Sequence, residues 1–201
     1  MGGNNSDIHP YCAPWYTWPL MIRTIAYYYQ TASSIEDPLP VFGPPLPNGT
    51  GKVLYDVHAM GNPFLWWFGL AALLFVAITF IWQLVIANSQ KNNVAITTPM
   101  AVDMGISLSL LCNYAANLPP WTIVSRCIFI YHYMTSVVFA FLAIAWLVDR
   151  CLASCNLVLR ASGVTIIFLI MAGFVFWMPI YLGLPLSPEA YKMRMWFNSW
   201  I

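Results

Sequence analysis

Two groups of ionisable and aromatic residues lie next to apolar segments of this 201-residue chain. One group precedes the first long apolar run, and the other opens the third. The members are His9, Tyr11, Trp18 and Arg23 in the first group, and Arg126, His132 and Tyr133 in the second. An arginine beside aromatic rings at a membrane edge suits a phosphate carried on a lipid, because guanidinium matches phosphate oxygens and rings pack against lipid or sugar.

Simpler roles for the same side chains stay open. Arg23 and Arg126 can extend to ordinary lipid headgroups while their stems cover apolar surface. His132, about one turn inside an apolar run, can bond to a sugar or a phosphate, or can satisfy Asn113 or Asn117 across a helical bundle. Residue types and spacing alone do not decide between these roles.

The composition indicates a membrane protein. Of the residues, 60% are apolar or aromatic and 7% are charged, whereas a soluble domain carries about 25% charged residues. A formal net charge of +1 argues against a nucleic-acid partner, which requires a basic surface. The five cysteines lack the paired spacing of a zinc site, so we predict no metal and interpret the cysteines as small packing residues.

Four apolar runs predict an all-α, polytopic fold with four transmembrane helices, at about residues 64–87, 101–118, 128–148 and 163–182. A run of about 20 residues is enough to cross the hydrocarbon core. The second run is the most polar, since it contains Asp103, Asn113 and Asn117. We interpret Asp103 as a charge near the start of a helix.

The segment before the first run predicts a different environment. Aromatic residues and one arginine favour an interfacial helix from about Pro19 to Gln30, and Pro, Gly, Ser and Asn predict a loop over residues 31–52. A second interfacial segment is predicted at residues 193–201. The chain therefore divides into an extracytoplasmic or interfacial segment, 1–60, and a membrane domain, 61–201. His58 and Asp56 have no partner that the sequence identifies.

The chain lacks the motifs that most self-contained enzyme mechanisms require. There is no HExxH, no phosphate-binding glycine loop, no GxSxG and no acidic pair of the glycosidase type. The sequence therefore does not predict a complete active site. A small transporter is also disfavoured, because the four runs contain no inverted repeat.

Three ordered motifs resemble those of a known family. They are residues 9–23, HPYCAPWYTWPLMIR, residues 61–67, GNPFLWW, and residues 126–133, RCIFIYHY. Together with the four apolar runs, they resemble the carboxy-terminal four-span region of protein O-mannosyltransferases. The segment around Pro19 to Gln30 is most similar to bacterial members. Thr24 stands where proline is usual, and Thr135 and Ser136 replace a Pro-Ala type step, so the loop geometry is expected to differ there.

The resemblance implies a glycosyltransferase of the GT-C type. Such enzymes move mannose from a polyprenyl-phosphate donor to Ser or Thr of exported proteins, so the implied partners are membrane lipid, the lipid-linked sugar and an acceptor protein. No cofactor beyond the lipid-linked donor is implied. The motif face would be extracytoplasmic, with Lys91, Arg150 and Arg160 on the cytoplasmic side of a multi-pass protein, most simply in a bacterial plasma membrane.

The resemblance also assigns roles to residues. The family's catalytic acid lies in an amino-terminal half that has no counterpart here, so no catalytic residue is carried over and an amino-terminal partner chain is expected. Arg23 and Arg126 would bind the donor phosphate. The sugar and lipid cleft would be lined by His9, Tyr11, Trp18, His132 and Tyr133. The alternative is a non-catalytic, polyprenyl-phosphate-binding or scaffold subunit of the membrane.

Overall fold

The computed structural model describes residues 9–32, 52–89 and 97–200. Its main elements are one β-hairpin and five α-helices. They are β1 (Ile25–Ala32), β2 (Val53–Ala59), α1 (Pro63–Ser89), α2 (Thr98–Asn117), α3 (Met134–Ala153), α4 (Leu157–Leu182) and α5 (Pro188–Lys192). Most of the predicted loop at 31–52 lies outside the described residues, as do Lys91 and Ile201.

The β-hairpin corrects two predictions, the all-α fold and the interfacial helix at Pro19 to Gln30. β1 pairs antiparallel with β2, with Ile25 opposite Ala59 and Ala32 opposite Val53. The segment is rich in tyrosine, and such aromatic residues favour strands as well as membrane interfaces. The prediction was wrong because composition alone does not show that residues 53–59 supply the backbone partner of β1.

Three described helices are long and apolar enough to cross a membrane. They are Pro63–Asn88, Ile130–Ala153 and Leu157–Leu182, of 26, 24 and 26 residues. They correspond to the first, third and fourth predicted runs. α2 occupies the second run with 20 residues, or about 30 Å of helix, but it does not belong to this apolar set. The structure is thus mostly helical, with three long apolar helices.

Asn62 and Pro63 set the start of α1. The proline supplies a helical φ at the first position, where a backbone N–H is not needed. The Asn62 side chain accepts a hydrogen bond from the Phe64 N–H at 3.0 Å and donates one to the Ile170 carbonyl at 2.7 Å. The same side chain therefore caps one helix and contacts another.

Residue contacts divide the chain into two compact units. The first comprises Met1–Phe64, Arg126–Tyr131 and Phe168–Ile201, and the second comprises Leu65–Ser125 and His132–Ile167. The second unit has an aliphatic core from α1, α2 and α3 that includes Ala72, Val76, Leu110 and Ile144. Gly69 allows close helix packing there, since a Cβ on Gly69 would lie 3.1 Å from the Ala140 carbonyl oxygen.

A left-handed turn in the first unit returns the chain to the hairpin after α4. Gly183 has a φ of 63°, a conformation that glycine adopts without a Cβ penalty. The Leu184 N–H then donates to the Pro179 carbonyl at 2.8 Å, and Leu186 exchanges backbone hydrogen bonds of 2.8 and 2.9 Å with Leu54. The hairpin is thereby attached to the segment that leads into α5.

Candidate functional site

Arg23 follows a tight turn that is held from inside the first unit. A short 3-10 helix, Trp15–Thr17, leads into the turn. The Trp18 side chain is fully buried, and its indole N–H donates to the Ala13 carbonyl at 3.0 Å. Met21 has a φ of 53°, which costs a non-glycine residue about 1–3 kcal/mol and persists only where neighbours impose it. The backbone ahead of Arg23 is therefore strongly constrained.

The end of the described chain supplies part of that constraint. The Trp200 indole N–H donates to the Met21 carbonyl at 2.7 Å, and Trp200 is fully buried. The Ser199 hydroxyl donates to the Ile22 carbonyl. The sequence predicted residues 193–201 at the membrane interface and did not indicate this contact. Tryptophan is typical of membrane interfaces and also of buried positions where its N–H has a hydrogen-bond partner.

A disulfide between Cys12 and Cys127 joins the two motif segments. Their Cα atoms are 5.4 Å apart, at a sequence separation of 115. Next to the bridge, the Ala13 N–H donates to the Ile128 carbonyl at 2.9 Å. The interpretation of these two cysteines as packing residues was wrong, because the fold brings together residues that no short spacing motif connects.

Arg23 and Arg126 lie beside this disulfide. Both are exposed, and the Arg23 Nη1 donates to the Cys12 carbonyl at 3.2 Å. Arg126 is the neighbour of Cys127 in sequence. Neither guanidinium forms an ion pair with any residue that the structure describes. The two positive charges are therefore uncompensated by described carboxylates, and a guanidinium in that state can bind phosphate oxygens.

His9 and Tyr11 belong to the same segment as Cys12. The His9 side chain is exposed, and its ring lies edge-on to Phe129 at 5.3 Å between centroids. The Tyr11 ring is 5.6 Å from His9, and the Tyr11 backbone N–H donates to His9 Nδ1 at 3.3 Å. The fold thus groups His9, Tyr11 and Arg23 with the segment 126–131, all in the first unit.

His132 and Tyr133 fall in the second unit. His132 is half-buried, with its ring 4.4 Å from Trp121. Tyr133 is buried and shares a 2.7 Å hydroxyl hydrogen bond with Tyr114. The alternative in which His132 satisfies asparagines of the bundle has no support in these contacts. Both asparagine amides, Asn113 and Asn117, donate instead to carbonyls of their own helix at 2.8 Å.

A buried chain of polar side chains lies directly behind Arg23, and sequence reasoning did not find it. His58 Nδ1 is 3.0 Å from Asp56 Oδ2, and His58 Nε2 bonds to the Thr24 hydroxyl. In the tautomer that donates Nδ1–H to Asp56, Nε2 accepts the Thr24 proton. The three residues are no more than 4% exposed. The signal for this pairing is the strand register, which places His58 opposite Ala26 and cannot be read from composition.

Tyr191 of α5 extends this buried group. Burial, and then the nearby Asp56 carboxylate, raises the pKa of the Tyr191 hydroxyl above its ordinary value. Asp56 is thus enclosed by protein on β2 and is not presented to solvent. Its arrangement with His58 and Thr24 resembles a nucleophile relay, but the burial of all three side chains indicates a structural role.

Asp103 has a partner in the second unit. Its carboxylate pairs with Arg150 of α3, whose guanidinium also lies 5.2 Å from the centre of the Trp146 ring. Asp103 is not in the first turn of α2, so its interpretation as a helix-start charge was wrong. Among the described residues, no three His, Cys, Asp or Glu side chains cluster as a metal site requires.

Comparisons with known proteins relate the whole chain to one family. Residues 2–200 match the family described as the C-terminal four TMM region of protein-O-mannosyltransferase. Dolichyl-phosphate-mannose--protein mannosyltransferase 1 of Saccharomyces cerevisiae is 21% identical over 209 residues, which cover 98% of this chain and 22% of the yeast protein.

A solved structure has the same fold. It is the S. cerevisiae protein O-mannosyltransferase Pmt1-Pmt2 complex bound to the sugar donor, which matches with a TM-score of 0.71 and 20% sequence identity. The match covers 97% of this chain and 24% of the yeast chain. The chain therefore spans about a quarter or less of the length of these relatives.

Proposed function

Because the chain belongs to the family of carboxy-terminal four-transmembrane regions of protein O-mannosyltransferases, we propose that it is the membrane part of a glycosyltransferase. The reaction moves mannose from a polyprenyl-phosphate donor to Ser or Thr of exported proteins. The chain acts together with the amino-terminal half of such an enzyme, on the same or a separate polypeptide. The sugar donor bound in the yeast complex and the dolichyl-phosphate-mannose in the name of the yeast relative support a lipid-linked sugar as the ligand.

The observation that carries the proposal is the pair of exposed arginines at the disulfide. Arg23 and Arg126 have no described carboxylate partner, so an anion can approach them without displacing an ion pair. When the glycosidic bond breaks, negative charge grows on the leaving phosphate. Guanidinium groups held in place stabilise that charge most where it develops.

The neighbouring aromatic residues fit a sugar or an isoprenoid chain. His9 is exposed and Tyr11 is half-buried, so both rings can contact a ligand bound at Arg23. Trp18 is buried, and its part is to support the backbone at Ala13. The roles of His132 and Tyr133 as walls of the cleft stay predictions from the resemblance.

The catalytic base is proposed to come from the amino-terminal half. Transfer to a hydroxyl needs a carboxylate that removes the acceptor proton as the donor phosphate leaves. Asp56 is enclosed with His58, and Asp103 is paired with Arg150. Neither of these two described carboxylates is available beside the arginines, so the role proposed for this chain is donor binding.

We propose an extracytoplasmic position for the motif face of a multi-pass protein in a bacterial plasma membrane. Disulfides persist in oxidising compartments, and Cys12 and Cys127 both lie in the motif segments. α2 serves as the fourth span, with its Asp103 paired to Arg150 of α3. The three long apolar helices supply the other spans.

Reconstitution in liposomes tests the proposal. The chain is combined with the amino-terminal half of a bacterial family member, and transfer of radiolabelled mannose from polyprenyl-phosphate mannose to a Ser/Thr peptide is measured. We expect transfer only when both halves are present. Equal transfer by the amino-terminal half alone would contradict a role for this chain in the reaction.

A second candidate function is a non-catalytic subunit that binds polyprenyl phosphate or acts as a scaffold. The lack of an available carboxylate beside Arg23 and Arg126 among the described residues favours it. This candidate predicts that the chain binds polyprenyl phosphate but supports no transfer with any amino-terminal half. The same liposomes distinguish the two functions, since binding and transfer are measured separately.

A further inference from the structure

The two candidate phosphate-binding arginines belong to segments that are far apart in the chain and are joined at one covalent point. Cys12 and Cys127 close this joint over a sequence separation of 115. Arg126 is the residue next to Cys127, and Arg23 donates a hydrogen bond to the carbonyl of Cys12. The backbone of Arg126 is therefore bonded to one half of the disulfide, and the Arg23 guanidinium is hydrogen-bonded to the backbone of the other half.

Regular secondary structure does not hold Arg126. The 3-10 helix Pro119–Ile123 ends before it and the next, Ile130–Tyr133, begins after it, so the backbone at 125–129 belongs to neither a helix nor a strand. Ordering one such residue costs about 1–2 kcal/mol in backbone entropy. The disulfide is the covalent contact that fixes this backbone one residue away from the guanidinium.

Two weaker contacts accompany the bridge. The Ala13 N–H donates to the Ile128 carbonyl at 2.9 Å, and the rings of His9 and Phe129 are 5.3 Å apart. A backbone hydrogen bond between two buried residues and one ring pair each contribute only about 0.5–1.5 kcal/mol. These contacts set which residues of the two segments face each other, and the disulfide adds the covalent link between the segments.

We infer that the Cys12–Cys127 disulfide is a positioning element that pre-organises Arg23 and Arg126 for one phosphate group. The inference rests on the proposed function, because it assigns the geometry of the same anion site. A site that is already ordered binds its ligand more tightly, because binding does not have to immobilise the side chains of the site. Cys12 and Cys127 thereby control donor affinity without touching the donor.

Reduction of the bridge tests the positioning role of the disulfide in a binding measurement, without mannose transfer. Dithiothreitol supplies two electrons and two protons, the S–S bond breaks, two thiols form and the reductant closes to its cyclic disulfide. Reduction leaves Arg23 and Arg126 themselves chemically unchanged. Any loss of affinity then reports the loss of positioning.

The experiment measures binding of undecaprenyl phosphate to the full chain in nanodiscs, before and after reduction. Undecaprenol, which has the same isoprenoid chain and no phosphate, is the ligand control. The Cys12→Ser/Cys127→Ser variant provides a permanently open bridge. The matched control is Cys112→Ser, which removes an exposed free thiol of the second unit. Hydrogen exchange over residues 9–24 and 124–131 reports the order of the two segments.

We expect reduction to weaken undecaprenyl phosphate binding about tenfold and to leave undecaprenol binding unchanged. Exchange should accelerate in both segments, and reoxidation should restore both readings. The double serine variant should bind as the reduced protein does and ignore the reductant, whereas Cys112→Ser should respond like the unmodified chain. If the double variant does not fold, reduction of the folded protein carries the test by itself.

Three results would overturn the inference. Equal phosphate binding by the oxidised and reduced protein, at complete reduction, removes the positioning role and leaves the proposed function intact. A parallel loss of undecaprenol binding indicates general unfolding instead of a role at the phosphate. Absence of undecaprenyl phosphate binding by the oxidised protein overturns the proposed function, and the inference with it.

Discussion

The indole N–H of Trp200 donates a 2.7 Å hydrogen bond to the carbonyl oxygen of Met21. Met21 has a left-handed backbone, and Arg23 follows two residues later. The contact ties the last described residue of the chain to the first motif. The direction of the Arg23 side chain therefore depends on residues from both ends of the sequence.

Trp200→Phe removes this hydrogen bond and keeps the aromatic volume. The Met21 carbonyl is then left buried without its donor, so we expect the free energy of unfolding to fall by about 1–3 kcal/mol. Denaturant unfolding in detergent, monitored by tryptophan fluorescence, measures the change. The matched control is Trp196→Phe, since Trp196 is 47% exposed and its indole N–H donates to the carbonyl of Met193, three residues before it. Equal effects of the two substitutions would refute the anchoring role of Trp200.

The buried group behind Arg23 is expected to stabilise the hairpin. His58→Ala removes the ring that contacts the buried Asp56 carboxylate at 3.0 Å, at a cost of about 3 kcal/mol. Thr24→Val removes only one hydrogen bond and should cost about 1 kcal/mol. The same denaturation assay measures both. Thr122→Val, at an exposed threonine, is the control and should have little effect. Unfolding free energies that do not change in the His58 variant would rule out this contribution.

Gly173 allows α4 to pack against the start of α1. A Cβ at this position would lie 2.5 Å from Phe64 Cδ2 and 3.0 Å from Asn62 Oδ1. Gly173→Ala should therefore displace the helix cap and destabilise the protein by about 1–3 kcal/mol. Gly105→Ala is the matched control, because nothing lies within 4 Å of a Cβ there. Alanine at that helical position should be neutral or stabilising by up to about 1 kcal/mol. A reversed order of the two stabilities would contradict the packing.

The raised pKa of Tyr191 predicts a loss of stability in alkali. Its cause is burial first and the Asp56 carboxylate second. A hydroxyl with a folded pKa above its unfolded value of about 10 ionises first in the unfolded chain. Its contribution to stability is therefore complete below about pH 10 and declines as the pH rises.

Tyr191→Phe should reduce the fall in unfolding free energy between about pH 8 and about pH 11. Tyr16→Phe, at a tyrosine that is 63% exposed, serves as the control for tyrosine removal in general. If the Tyr191 and Tyr16 variants follow the same pH dependence, Tyr191 does not contribute to alkaline unfolding.

The long helices could be predicted from sequence because their signal is local. An uninterrupted apolar run of about 20 residues has few stable states other than a membrane helix, and α1, α3 and α4 all match predicted runs. The resemblance likewise rested on contiguous motifs around Arg23 and Arg126. Each of these predictions needed only residues that are neighbours in the chain.

The errors concern contacts between distant residues. The strand at Ile25–Ala32 depends on a partner at Val53–Ala59, and the Cys12–Cys127 bridge spans 115 residues. Thr24 and His58 come together through the hairpin register. Composition and periodicity cannot specify such pairs, because the free energy that selects them comes from the folded neighbours of each residue.

The most direct test of the account is the donor dependence of mannose transfer by the reconstituted halves. The transfer rate is measured against polyprenyl-phosphate mannose concentration for the unmodified chain, for Arg23→Ala and Arg126→Ala, and for the exposed control Lys192→Ala. Each arginine variant is expected to lose about tenfold or more in kcat/KM for the donor, and Lys192→Ala is expected to retain it. Full kcat/KM in both arginine variants would contradict the claim that this chain holds the donor phosphate.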